Sequence, residues 1–309
     1  MAAHAAAVED VLGVARRRRS EQAVRALLAA AAGLSVLTTT GIVVSLLEET
    51  VSFLGDAGIG AFLTGTDWSP LFAEPSFGVL PLVTGTLLVS AIALAVAVPV
   101  GLGAAVYLAE YASPRVRRAV KPVLELLAGV PTIVFGYFAL LFFTPEVLRP
   151  VFGEPLSGFN ALSAGIVMGF MIVPTVASVS EDAMSAVPAA LREGAFGLGA
   201  TKLQVSTRVV FPAALSGIVA SFVLAASRAV GETMIVVIAA GLQPNLTADP
   251  RRSVETMTTF IAATAKGDAP VGTTAYEAIF AVGTLLFVMT FAMNLVAIRF
   301  VRRYRQVYE

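Results

Sequence analysis

Five stretches of this 309-residue chain hold no Asp, Glu, Lys or Arg: residues 26–47, 75–109, 126–145, 155–180 and 278–298. Each supplies the roughly 20 apolar residues that a helix needs to cross the hydrocarbon core of a bilayer. A sixth stretch, 213–241, is apolar apart from Arg228 and Glu232. A membrane β-barrel would instead read as alternating segments of about ten residues, a pattern the chain lacks. The expectation is an all-α membrane protein with six transmembrane helices. It divides into an amino-terminal arm (1–25), a six-helix domain (26–303) and a short tail (304–309).

Several spans carry helix breakers: Pro81, Pro99 with Gly101 and Gly103, Pro131, and Pro174. Proline removes a backbone donor and kinks a helix, which membrane helices tolerate where neighbours re-satisfy the freed groups. Packing geometry and a bent, gated pathway both account for them.

Composition agrees with the pattern. The chain is 57% hydrophobic and 14% charged, against about a quarter charged in soluble domains. Its formal charge is zero, with 21 basic and 21 acidic side chains, so no basic surface speaks for nucleic acid. There is no cysteine, which excludes disulfides and thiolate metal sites. His4 is the only histidine, which removes a histidine metal site.

Charge placement predicts orientation, because cytoplasmic segments are enriched in Lys and Arg. With the amino terminus inside, 16 of the 21 basic residues fall on the cytoplasmic side. These are Arg16–Arg19 and Arg25, then Arg115, Arg117, Arg118 and Lys121, then Arg192, Lys202 and Arg208, and finally Arg299, Arg302, Arg303 and Arg305. The first outside loop, 48–78, has none. Both termini are expected to be cytoplasmic. The first apolar run is longer than a secretion-signal core and reads as an uncleaved signal-anchor helix.

One polar interruption between spans stands out, residues 189–212. Ala189–Ala195 favours helix, with Arg192 and Glu193 marking a solvent-facing side. Gly197 and Gly199 then turn the chain, 200–208 can form a second short helix, and Pro212 suits the first turn of the next span. Glu193-Gly194-Ala195, then Gly199, then Val209-Val210-Phe211-Pro212 resembles the EAA loop of bacterial ABC importer permeases, with Gly194, Val209 and Phe211 as departures. The resemblance implies a type I ABC importer permease in which this loop docks into a separate ATPase. Arg192, Glu193, Gly194, Ala195, Gly199, Lys202 and Pro212 are the candidate coupling residues. None of the three lysines follows glycine as a phosphate-binding P-loop requires: Val120, Thr201 and Ala265 precede them. This chain is therefore expected to be no enzyme and to hold no cofactor, with ATP and magnesium on the partner ATPase.

Arg228 and Glu232 lie four residues apart, a spacing that puts both on one face of a continuous helix. Charge inside a bilayer is costly and functional by default. An internal ion pair is one reading. An anion site is the other, since guanidinium is a planar fork suited to oxyanions and a carboxylate can accept a hydrogen bond from a protonated oxyanion. The stretch RAVGETM, with AGVPTIVFG at 128–136 and GDAPVGTTAYEAIFAVG at 267–283, resembles the phosphate-specific permeases of the Pst system, C-type subunit, over residues 62–303. That resemblance implies a phosphate importer with an A-type permease partner, two ATPase subunits and an extracytoplasmic phosphate-binding protein. It also implies a pathway role for Arg228 and Glu232. The location implied is a bacterial or archaeal inner membrane, with lipid around the spans. A sulfate or molybdate permease, an ion-coupled secondary anion transporter and a membrane phosphate sensor are the competing functions.

Outside the membrane, Trp68 beside the second span suggests an interfacial anchor, with contact to a binding protein as the other possibility. Val254, Met257, Ile261 and Ala265 recur at helical spacing and predict a short amphipathic external helix, either capping the pathway or packing at the interface.

Overall fold

The computed structural model describes residues 14–153 and 155–304. The arm before residue 14, with His4, and the tail after 304 lie outside the described residues, as do the side chains of Arg16–Arg19, Arg302 and Arg303.

Among the described residues, six helices are long and apolar enough to cross a membrane: Glu21–Ala57, Leu80–Tyr111, Thr132–Phe152, Ala161–Ser185, Lys202–Val230 and Thr274–Arg299. The first belongs to α1 (Val14–Ala57), which is followed by the short α2 (Ile59–Thr64). The second is α3 (Leu80–Val106), extended by a π-helical turn over Tyr107–Tyr111. Then comes α4 (Pro114–Ala128), which the apolar-run pattern did not separate from the third span. Ser113 caps it, and it buries none of its residues. Pro131, extended at φ −57 and ψ 132, ends the turn after it, so the third span starts at Thr132 rather than near 126. That span joins α5 (Thr132–Phe138), a π-helical stretch Ala139–Leu148 and α6 (Arg149–Phe152).

The fourth span is α7 (Ala161–Ser185), and α8 (Ala189–Gly197) follows it outside the bundle. The fifth runs from α9 (Lys202–Val205) through a π turn, Ser206–Val210, into α10 (Phe211–Val230). The expected second short helix of the polar segment is thus the start of this span. After a break come α11 (Met234–Ala239) and α12 (Met257–Ala263), and α13 (Thr274–Tyr304) closes the chain.

Small residues decide the packing at the centre. A Cβ on Gly169 would lie 2.8 Å from the Ala93 carbonyl, and one on Gly101 would lie 2.7 Å from Val176 Cβ. Gly165 abuts Ile92 and Val89 in the same register, so α3 and α7 run parallel in close contact. Small residues let membrane helices approach to backbone distance, and Gly101 is accounted for by this packing. α10 lies antiparallel on α7, joined by a buried Ser180–Ser221 hydroxyl pair at 2.8 Å. The first span packs on the sixth through Thr50 and Thr284, also at 2.8 Å.

The loops after the first span and before the sixth are more deeply buried than their sequence suggests. Trp68 is 3% exposed, its ring 4.8 Å from that of Phe260 and tilted at 89°. It joins Phe53, Phe62 and Phe77 in one aromatic cluster. The interfacial-anchor expectation is therefore corrected, because the loop folds back and places the indole in the core. α12 likewise has no solvent face over its first turn: Ser253 to Phe260 are all buried.

Candidate functional site

The fifth span does not continue through Glu232. α10 ends at Val230, Gly231 caps it, and the next helical turn starts only at Met234. Arg228 and Glu232 consequently do not share a helical face, and no ion pair joins them among the described residues. Glu232 Oε1 instead accepts the backbone N–H groups of Met234 (3.1 Å) and Ile235 (3.3 Å). It caps the short α11, satisfying donors that a helix start leaves orphaned. Both bonds fall on Oε1, leaving Oε2 available.

Arg228 is exposed on the single chain, with Nη2 3.8 Å from Met171 Sδ. Met171 lies near the middle of the 25-residue α7, so the guanidinium sits at mid-depth of the bundle. No carboxylate of the described residues lies within 4.0 Å of it.

The polar segment has a capped geometry. Gly199 adopts φ +81, its N–H bonds Phe196 O at 2.9 Å, and Ala200 N–H bonds Ala195 O at 3.1 Å. This paired closure around a left-handed residue is the Schellman ending, which favours glycine. Thr201 and Gln204 then form a reciprocal capping box for the next helix, a Thr-x-x-Gln signature that was present in the sequence.

The structure splits the candidate coupling residues into two faces. Glu193 and Gly194 are exposed, as are Leu198 at 91% and Leu203 at 63%. Ala195 packs inward against the cluster of Met184, Val187, Val205 and Val210. Arg192 also points inward, against the solvent-facing expectation. Its Nη2 pairs with the 6%-exposed Glu110 at 3.1 Å and donates to the Met184 carbonyl at 2.7 Å, while Nη1 donates to Val187 O. Lys202, exposed, lies 5.0 Å over the Tyr111 ring, within cation–π range. Two arms of the segment thus grip the same end of the second span. Pro212 is exposed in the first turn of α10.

A second ionic cluster holds α4 against the same end of the bundle. Glu181, 1% exposed, pairs with Arg117 and with Lys121 at 2.9 Å, and Lys121 also meets Asp182 at 2.7 Å. Hydrogen bonding to Asp182, then to Glu181, raises the Lys121 pKa. Sequence reasoning counted Arg117 and Lys121 only as topology markers and missed Glu181. It also missed Glu110. Both acids sit at ends of apolar runs, which was the available signal.

At the opposite end, Thr258 donates to Glu232 O at 2.8 Å, and Thr86 accepts the Met257 N–H at 3.1 Å. The backbone of Glu255 packs against Gly85 so closely that a Cβ there would clash with its carbonyl. The segment leading into α12 is therefore wedged between the second span and the break in the fifth.

A family model described as "Binding-protein-dependent transport system inner membrane component" matches residues 97–306. Among relatives, the phosphate transport system permease protein PstC of Xylella fastidiosa (strain 9a5c) is 32% identical over 300 residues, covering 91% of this chain and 90% of its own length. PstC 1 of Mycobacterium tuberculosis is 37% identical over 278 residues, covering 78% and 81%. The probable ABC transporter permease protein YqgH of Bacillus subtilis is 34% identical over 246 residues, covering 80% and 78%. A bacterial alginate ABC transporter, solved with a periplasmic protein bound to alginate pentasaccharide, matches with a TM-score of 0.61 at 18% identity, covering 86% of this chain and 90% of its own. The MetNI methionine ABC transporter in an inward-facing form matches at 0.55 and 18%, covering 74% and 95%. At such identities these structures show a shared fold, that of ABC importer permeases. The chain belongs to the family of binding-protein-dependent transport system inner membrane components, and is a multi-pass permease subunit of that importer type.

Proposed function

We propose that this chain is one of two permease subunits of an ATP-driven importer that passes inorganic phosphate from an extracytoplasmic binding protein to the cytoplasm. The observation that carries this reading is Arg228, a guanidinium at mid-depth on the open face of the bundle with no carboxylate beside it. Lipid cannot cover such a group cheaply, so that face belongs to a pathway shared with a second permease of the A type. The phosphate permeases among the relatives supply the cargo. Arg228 supplies donors to a tetrahedral oxyanion, and Glu232 Oε2 accepts the hydroxyl of a protonated one.

The segment 189–212 is the contact for the ATPase, which holds ATP and its magnesium. The exposed Glu193, Gly194, Leu198 and Leu203 meet it, while Arg192 and Lys202 pass the movement to the second span. Both termini are then cytoplasmic, as the distribution of basic residues supports, and lipid covers the remaining apolar faces.

Phosphate uptake by the complex reconstituted in vesicles, alongside ATP hydrolysis, tests the reading. Arg228→Ala should abolish uptake while hydrolysis persists, and sulfate or molybdate should not compete in the unaltered complex. Normal uptake by the alanine variant would refute the site assignment. Effective competition by sulfate would refute the cargo.

A further inference from the structure

The outer end of the bundle holds a cavity of about 210 Å³ whose walls are Trp68, Phe72, Leu242, Pro244 and Phe260, with Glu255 among them. Among the described residues, Glu255 is the only ionisable one that lines it. Its side chain is 7% exposed, and no group of the described residues pairs with it. Burial alone raises its pKa, from 4.5 to about 8. Burying a carboxyl without a partner costs free energy unless something arrives to satisfy it.

The surroundings say what kind of group that is. A cleft of about 770 Å³ adjoins the cavity, sharing Trp68 and Phe72, and Asp67 and Glu74 line it. Residues 48–79 carry five acidic side chains and no basic one. Upstream of Glu255, Arg251 pairs with Asp249 at 2.9 Å, and Arg252 lies 4.0 Å from the same carboxylate. Phe72 and Leu71 stand at the rim, 75% and 51% exposed. Apolar walls that suit an aliphatic stem, aromatic faces that attract a cation and a lone carboxyl together describe a socket for a long basic side chain.

We propose that this cavity receives an arginine or lysine side chain of the extracytoplasmic binding protein, with Glu255 as its counter-ion. The proposal rests on the reading above that this end of the bundle is extracytoplasmic and meets a binding protein. In the empty socket the carboxyl is mostly protonated at neutral pH. An entering cation pairs with the ionised form, so docking releases a proton and tightens as pH rises through 8.

The test uses the complete complex in nanodiscs, titrated with phosphate-loaded binding protein while ATP hydrolysis is followed. For the unaltered complex the half-saturating concentration should fall about tenfold between pH 7 and pH 9, following the ionised fraction. Glu255→Gln should raise it about 30-fold at pH 9, flatten its pH dependence and leave the maximal stimulated rate within reach at saturation. A photo-cross-linking amino acid in place of Phe72 should capture the binding protein beside an arginine or lysine. Unchanged half-saturation in the glutamine variant overturns the proposal, as does a lowered maximal rate at unchanged half-saturation, or no cross-link at Phe72. A complex that ignores the binding protein altogether would instead refute the parent function.

Discussion

The hydroxyl of Thr258 donates a 2.8 Å hydrogen bond to the carbonyl of Glu232, tying the outer helix α12 to the break in the fifth span. That carbonyl lies just past the end of α10, where a helix leaves acceptors unsatisfied. The bond joins α12 to the residue whose carboxylate caps α11. Thr258→Val keeps the shape and removes the donor, at a cost of about 1 kcal/mol. Phosphate uptake should fall several-fold, and Thr258→Ser should restore it. Equal loss in both variants would point to packing instead.

Arg228 and Glu232 should fail differently. Arg228→Ala removes an exposed guanidinium and should leave thermal stability nearly unchanged while uptake is lost. Glu232→Ala removes the cap on Met234 and Ile235 and should also destabilise, by about 1 kcal/mol. Thermal unfolding of both variants in detergent separates the two roles.

Arg192 and Glu110 form one of two links between segment 189–212 and the second span. Glu110→Gln and Arg192→Ala should each uncouple ATP hydrolysis from uptake. A double-mutant cycle on uptake should give a coupling energy of about 1–2 kcal/mol. Additive effects would mean that the ion pair carries no signal.

Leu198 is 91% exposed at the tip of that segment. Leu198→Ser should change stability by no more than about 0.5 kcal/mol, yet reduce co-purification of the ATPase. Full retention of the ATPase would place the docking contact elsewhere.

Glu255 also predicts a pH effect on stability. Its folded pKa of about 8 exceeds the ordinary value of 4.5, so it binds its proton more tightly when folded. The stability that this carboxyl contributes is fully present below pH 4.5 and is lost as pH rises through 8. Over pH 7 to 9 the unaltered chain should lose more thermal stability than Glu255→Gln, by about 1–2 kcal/mol. Parallel curves would show that the carboxyl is hydrated.

Much of this was legible in the residues. Runs of uncharged sequence marked six spans, because a bilayer admits only long apolar helices or closed barrels. The offset from Glu193 to Gly199 to Pro212 marked the polar segment between the fourth and fifth spans, and Gly199 does occupy the left-handed turn that glycine there suggested. The third span was placed too early because α4 contributes Leu126 and Leu127 to an uncharged run, and only Pro131 separates them.

Side-chain direction was not legible. Periodicity assigned Arg192 to solvent, yet Glu110 lies 82 residues earlier in sequence, and no local pattern announces such a partner. The four-residue spacing of Arg228 and Glu232 implied one face only if the helix continued. Gly231 and the Thr258 bond end it between them. The sequence alone determined how many long apolar helices the chain forms and where a polar segment interrupts them, because lipid and water enforce those patterns residue by residue. Only the tertiary structure decided which charges are paired, which cap a helix and which stay open, because those outcomes depend on neighbours that the fold brings together from distant parts of the chain.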